Sequence, residues 1–224
     1  MNLYLHFQNI LKQRLNIQYL KFTIEIIAYI CYIIKINKTQ NMIVIIQAHP
    51  WSGSFNQAIL DAITVKLTAD KKEYTVINLH KDNFNPVMTE ADLALYARGE
   101  FADPLVGNYQ EILKGADEVV FLFPIWWSGM PAMLKGFFDK VLLVNFSHNY
   151  ENGWTPLLNI KKTVVVTTSE SPTEKFRNAI EGDFIQNSLQ AVGFQNPIWL
   201  NCEHVGFGTP EHRAEFLKEV AETI

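Results

Sequence analysis

The chain has 224 residues, 48% of them hydrophobic, with 19 basic side chains against 23 acidic ones and a net charge of −4. No run of lysine or arginine interrupts that balance, so the basic footprint of a nucleic-acid-binding protein is missing. Cys31 and Cys202 stand in neither a zinc-type nor a CxxC spacing and build no disulfide framework, so the expected setting is reducing and cytoplasmic, with no bound metal.

Residues 1–41 are rich in Ile, Asn, Tyr and Lys and hold no Gly or Pro. Their apolar stretch, 22–36, falls short of the roughly 18 apolar residues of a spanning helix. It also contains Glu25 and lacks the small-residue cleavage site of a signal peptide. Three readings fit: an appended helix, a membrane-surface anchor, or upstream sequence ahead of a start at Met42. The last is favoured because Met42 directly precedes the first strand. The expected organisation is therefore an extension over 1–41 and one domain over 42–224, without stable membrane insertion.

From Ile43 to Ala48 the sequence is a continuous apolar run, as in a central strand of a parallel sheet. His49-Pro50-Trp51-Ser52-Gly53-Ser54-Phe55-Asn56-Gln57 follows, and then a helical pattern through Ile59, Ile63 and Leu67. Strand, short Ser/Gly loop and helix make an anion cradle, because the free N–H groups of the first helical turn and the serine hydroxyls converge. The structural alternative is a capping box, Ser54-x-x-Gln57, which uses the same helix end. His49 reads equally as a positive edge for an anion or as a hydrogen-bonded structural residue. The Walker lysine and a GxGxxG pattern are both missing, which argues against a P-loop nucleotidase and a Rossmann NAD domain.

A second strand is predicted over Tyr74–Leu79, and Thr89 caps a short acidic helix around Asp92–Arg98. A helix over Leu105–Lys114 returns the chain to a third strand, Val119–Phe123, which Pro124 ends. Trp126, Trp127 and Gly129 come next, and Pro131 is placed to open a helix whose stripe runs through Met133, Leu134, Phe137, Phe138, Val141 and Leu142. Large aromatics at the carboxyl end of a parallel strand lie where open α/β sheets bind ligands, although a pair of tryptophans is also ordinary core. Residues 145–154 form a polar and aromatic loop of functional length. A fourth strand, Thr163–Thr168, carries Ser169-Glu170-Ser171-Pro172 at its end. A helix over Phe176–Val192, a strand over Pro197–Cys202 and an amphipathic helix over Pro210–Ile224 complete the pattern. Five strands alternating with helices give an α/β, three-layer, doubly wound parallel sheet of flavodoxin-like order 2-1-3-4-5. The loops after the first, third and fourth strands then face one crevice, shaped for a ligand with a phosphate at one end and a flat ring at the other.

These segments carry a resemblance. Ala48-His49-Pro50 with Ser54-Phe55-Asn56, Phe84-Asn85-Pro86, and the long stretch from Phe123 through Pro124-Ile125-Trp126-Trp127-Ser128-Gly129-Met130-Pro131 to Val141 resemble the NAD(P)H:quinone oxidoreductase family with a flavodoxin-like fold. The likeness covers the chain from Met42 onward. It implies a flavin, FAD or FMN with FAD the first choice, and NADPH or NADH as electron donor. His49, Ser54, Phe55 and Asn56 would then meet the flavin phosphate region, Pro124, Ile125, Trp126 and Trp127 the isoalloxazine, and Thr167, Thr168 and Ser169 its pyrimidine end. Trp126 and Trp127 would border the reacting ring as the catalytic pair. The reaction implied is a ping-pong, two-electron transfer to a quinone or similar acceptor, in a cytoplasmic homodimer; Tyr150 and Trp154 read equally as contributors between subunits or as residues packed within the monomer.

The sequence departs from the family after the fourth strand. Ser169-Glu170 stands where a Gly-Gly pair is usual, which makes that edge more acidic. The stretch matching a downstream tyrosine and histidine, Glu174-Lys175-Phe176 and Ile180-Glu181-Gly182, has neither. Two other functions compete: a flavin-binding ancillary subunit of a potassium efflux system, and a one-electron carrier like flavodoxin.

Overall fold

An apolar run with no polar alternation needs cover on both sides, and a parallel sheet between two helical layers supplies it. The computed structural model describes Asn41–Ile224 together with Thr23, Ile26, Ile27 and Tyr29. The chain divides into two units, Met1–Gln40 and Asn41–Ile224. The four residues described in the first are helical, and the readings of residues 1–41 as appended helix, anchor or upstream sequence lie outside the described residues. Among the described residues no helix is long and apolar enough to cross a membrane.

The second unit contains, in chain order, β1 (Ile43–Gln47), α1 (Phe55–Ala69), β2 (Tyr74–Asn78), α2 (Glu90–Tyr96), α3 (Pro104–Gly115), β3 (Glu118–Pro124), α4 (Ala132–Val141), β4 (His148–Asn149), β5 (Thr155–Pro156), β6 (Lys162–Thr168), β7 (Pro197–Cys202) and α5 (Pro210–Thr223). The main sheet is parallel, in the order β2-β1-β3-β6-β7. Counted along its own strands that is the doubly wound order 2-1-3-4-5, as expected from the sequence. A short antiparallel pair, β4 with β5, interrupts the loop after α4.

Strand alternation sorts the core into two halves. Ile43 and Ile45 of β1 join Ile59, Ile63, Leu67, Phe216 and Val220 under α1 and α5. Val44 and Ile46 face the other way, with Phe121, Phe123, Tyr109, Phe137 and Phe184. Burial of each such side chain contributes about 1.5–3 kcal/mol.

The helix expected over Phe176–Val192 is present as a composite: a 3-10 turn Thr173–Phe176, a π-helix Asn178–Leu189 and a 3-10 turn Gln190–Val192. Its buried residues include the pairs Ile180/Ile185 and Phe184/Leu189, each five apart, and i→i+5 winding keeps such pairs on one side.

Two contacts strap the long connection after β2 onto α4. Gly136 lets α4 approach Pro86 so closely that an added Cβ would lie 2.2 Å from the Pro86 carbonyl oxygen. Lys140, buried, donates to the Asn85 carbonyl at 3.1 Å and pairs with Asp92 at 3.2 Å. Asp92 also closes a capping box with Thr89, whose N–H and hydroxyl it accepts at 3.0 and 2.7 Å. α4 is thereby fixed at its middle and its carboxyl end.

Candidate functional site

At the end of β1 the chain leaves the sheet at Ala48, whose N–H donates to Leu122 of β3 at 3.0 Å. Ser54 caps α1, accepting the Gln57 N–H at 3.2 Å. Only half of a capping box forms, because Gln57 turns its side chain to Asp61 and Gln47 instead. The first two helical amides, Phe55 and Asn56, have no acceptor within the helix, which is the geometry that attracts an anion. Phe55 aims its ring inward toward Phe216, 6.4 Å between centroids, so it offers the site backbone rather than side chain.

Asn56 is 3% exposed and crosses to the far side of the crevice, its Nδ2 donating to the Thr168 hydroxyl at 2.8 Å. Its Oδ1 is buried without a hydrogen-bond partner among the described residues. An orphaned buried carbonyl costs about 1–3 kcal/mol.

The aromatic loop is a tight hairpin. Trp126 and Gly129 exchange backbone hydrogen bonds at 2.9 and 3.1 Å. Trp127 and Ser128 between them have φ of 51° and 65°, the left-handed pair of a type I′ turn, normally filled by Asn-Gly. Two non-glycine residues held there store strain of about 1–2 kcal/mol each, and such strain concentrates at working sites. The result is an exposed aromatic lip: Trp127 is fully exposed and Trp126 46% exposed. Trp126 also meets His49 edge-on at 6.0 Å between ring centroids. Pro124 and Ile125 are buried, and the Ile125 N–H is engaged by the Thr168 carbonyl at 2.8 Å. Within the turn the Trp126 N–H is also engaged, whereas the Trp127 N–H has no hydrogen-bond partner among the described residues.

The third rim is more occupied than its sequence suggests. Thr167 is fully buried, and its hydroxyl accepts the Trp199 indole N–H and contacts the Asn201 side-chain oxygen, both at 2.8 Å. Ser169 donates to the Ser171 carbonyl at 2.8 Å and accepts from Asn201 at 3.0 Å. Thr168, which accepts from Asn56, keeps its own hydroxyl proton to donate. Glu170 does not project into the crevice as a free charge: its Oε1 accepts the Gly206 N–H at 2.9 Å, tying this rim to the loop after β7. Within the stretches 174–176 and 180–182, Phe176 and Ile180 are buried in the core.

The loop after α4 carries its own aromatic stack. His148 lies parallel to Trp154, 4.1 Å between centroids and 9° between planes, and Tyr150 stands edge-on to both. Trp154 is 50% and Tyr150 62% exposed, and burial lowers the His148 pKa.

Beside the cradle, on the β2 edge, lies a cleft of about 270 Å³ lined by His49, Ser52, Gln57, Asn78, His80 and Lys81. Asn78 donates to Gln47, and Lys81 N–H to the Asn78 side chain at 3.0 Å. Burial lowers the pKa of both histidines, and repulsion from His80 lowers that of His49 further. Sequence reasoning missed Asn78, His80 and Lys81. The available signal was a polar residue, Gln47 or Asn78, ending each of two otherwise apolar strands on the same edge of the sheet.

A family model described as a flavodoxin-like fold matches residues 41–223. NAD(P)H dehydrogenase (quinone) 1 of Rattus norvegicus is 29% identical over 209 residues, covering 80% of this chain and 76% of the relative. An uncharacterized NAD(P)H oxidoreductase of Escherichia coli K12, YcaK, is 28% identical over 187 residues, covering 81% and 94%. Among solved structures, the NAD(P)H:quinone oxidoreductase from Methanothermobacter marburgensis superposes with a TM-score of 0.71 at 25% identity, covering 83% of this chain and 98% of that one.

Proposed function

The chain belongs to the flavodoxin-like family of the NAD(P)H:quinone oxidoreductases, and from that premise we propose that it is a flavin-dependent enzyme passing a hydride from NADPH or NADH to a quinone or similar acceptor. The observation that carries the proposal is the convergence of three rims: Asn56 bonds to Thr168 at 2.8 Å, the Ile125 N–H to the Thr168 carbonyl at 2.8 Å, and the His49 ring stands 6.0 Å from Trp126. The donor set fits a flavin mononucleotide unit. Two unpaired helix amides suit its phosphate, the unpartnered Asn56 Oδ1 suits a hydroxyl or ring N–H, and the exposed tryptophans suit a flat ring.

A bound flavin, FMN or FAD, would supply the redox chemistry, two-electron transfer between nicotinamide and acceptor in ping-pong order. The side chains position it. Phe55 and Asn56 amides hold the phosphate, with Ser54 fixing the turn and His49 closing its edge. Trp126 and Trp127 border the ring and keep water from one side. The Trp127 N–H and the Thr168 hydroxyl donate toward the pyrimidine end, where negative charge accumulates on reduction. Thr167 and Ser169 act by fixing that rim, their hydroxyls being engaged within the protein. The protein works as a cytoplasmic homodimer, with the Tyr150–Trp154 cluster as the exposed aromatic surface available to a second copy.

The test is direct. Purified protein is yellow or takes up added flavin, and its absorbance bleaches anaerobically on addition of NADPH or NADH and returns on addition of a quinone. Colourless protein that binds neither FMN nor FAD refutes the proposal, and chromatography of the extracted cofactor distinguishes the two flavins.

A further inference from the structure

We propose that the cleft at the β2 edge is a second phosphate subsite, which takes the 2′-phosphate of NADPH and so selects NADPH over NADH. The identity of the ligand rests on the nicotinamide-nucleotide reading above. The subsite itself rests on four observations.

First, no acidic side chain lines the cleft. His49, His80 and Lys81 line it with Ser52, Gln57 and Asn78, in a chain whose net charge is −4. Asp61 is exposed and accepts from the lining residue Gln57 at 2.8 Å, and Asp82 accepts the Tyr109 hydroxyl at 2.9 Å. Second, the His80 Nε2 is buried and has no hydrogen-bond partner among the described residues. A ring nitrogen in that state lacks the partner that an oxyanion supplies. Third, His49 is pre-oriented. Its Nδ1 accepts the Trp51 N–H at 3.1 Å, which leaves Nε2 as the protonated, donating nitrogen. Fourth, Lys81 forms no ion pair among the described residues, so its ammonium is available at the mouth of the cleft.

A phosphate monoester has three acceptor oxygens and nearly two negative charges near neutral pH, so it suits two imidazole N–H donors beside one ammonium. Ring site and cleft share a wall, because His49 both meets Trp126 and lines the cleft. Trp51, on the intervening loop and 66% exposed, rests its indole against Gly53, where an added Cβ would meet it at 2.5 Å. That indole is an aromatic surface for an adenine next to the phosphate subsite.

The experiment is calorimetric titration of the purified full-length protein, with its flavin as isolated, using 2′,5′-ADP, 5′-AMP and inorganic phosphate. The expected result is that 2′,5′-ADP binds at least about tenfold more tightly than 5′-AMP, a difference of about 1.4 kcal/mol. Inorganic phosphate competes with the former. In the variant carrying both His80→Gln and Lys81→Ala the ratio falls to about twofold or less. Lys218→Ala on α5, far in sequence from the cleft, leaves it unchanged. Equal affinities in the wild type, or an unchanged ratio in the double variant, overturn the proposal. So does a double variant that loses preference for FMN over riboflavin while keeping the nucleotide ratio, because the cleft then serves the flavin's own phosphate. Flavin content, read separately from absorbance, shows whether the enzyme proposal itself has failed, since the nucleotide titrations need no bound flavin.

Discussion

Asn56→Ala separates a binding residue from a structural one, because its stability and affinity effects are expected to diverge. In the protein without flavin, the substitution removes the 2.8 Å bond from Nδ2 to Thr168, worth about 0.5–1.5 kcal/mol. It also removes the buried, unpartnered Oδ1, whose presence costs about 1–3 kcal/mol. Some packing is lost as well, so the sum lies within about 1 kcal/mol of zero. With flavin bound the same change deletes a hydrogen bond to the ligand, and loss of about 1.4 kcal/mol is a tenfold weaker Kd. Urea unfolding of the flavin-free protein measures the first effect, and quenching of flavin fluorescence on binding measures the second. The reasoning is refuted by the opposite pattern: a flavin-free protein destabilised by about 2 kcal/mol or more whose flavin Kd is unchanged. That pattern makes Asn56 a brace between α1 and β6 and nothing else.

Ser128→Gly relieves a left-handed residue at φ 65° and is expected to raise stability by about 0.5–1 kcal/mol, the strain of about 1–2 less the added chain entropy of glycine, seen as a higher urea midpoint. Gly136→Ala drives a methyl to within 2.2 Å of the Pro86 carbonyl oxygen, which is backbone. It should cost about 1–3 kcal/mol and lower Tm unless the connection after β2 moves. Burial alone would raise the Asp92 carboxyl pKa, but hydrogen bonds from Thr89 and Lys140 outweigh it and hold the pKa below its ordinary value. A carboxylate depressed in this way stabilises the fold above its unfolded pKa of about 3.9 and loses that contribution as the pH falls through the lower, folded value. Asp92→Asn should therefore flatten part of the acid-unfolding curve below about pH 4. At neutral pH it should cost about 3–5 kcal/mol, because Lys140 is left buried and unpaired. A variant with unchanged stability at pH 7 would show that the ion pair is relaxed in solution.

The strands were legible because burial on both faces leaves a mark that needs no partner to read: Ile43-Val44-Ile45-Ile46 and Val119-Val120-Phe121-Leu122-Phe123 admit little else. Local capping was legible too, since Thr89 and Ser54 act within three residues of themselves. What failed to show was anything decided across the sheet. The Thr167 hydroxyl is claimed by Trp199 and Asn201, 32 and 34 residues away. Glu170 looked like a free acid at the rim, yet its carboxylate is taken by the Gly206 N–H, 36 residues on. The type I′ turn at Trp127-Ser128 was hidden because it lacks the Asn-Gly signal and is imposed by its surroundings.

The same distinction shows where function lies in this fold. Among the described residues three buried side-chain polar atoms lack hydrogen-bond partners: Asn56 Oδ1, His80 Nε2 and Thr163 Oγ1. Thr163 is near the start of β6, but Asn56 lies in the first turn of the helix that follows β1 and His80 two residues past the end of β2, both on the carboxyl side of the sheet. Each such atom costs about 1–3 kcal/mol, and a fold whose whole stability is about 5–15 kcal/mol does not keep two of them at one end of the sheet without return. Beside them other polar groups are paired, as in the chain from Asn78 through Gln47 to Gln57. The unpaired atoms therefore mark where partners must come from solution, one on the flavin side of His49 and one on the side we assign to a phosphate. A ligand that satisfies both should raise Tm by more than the sum of two separate ligands at matched occupancy, because it orders the His49 loop once rather than twice.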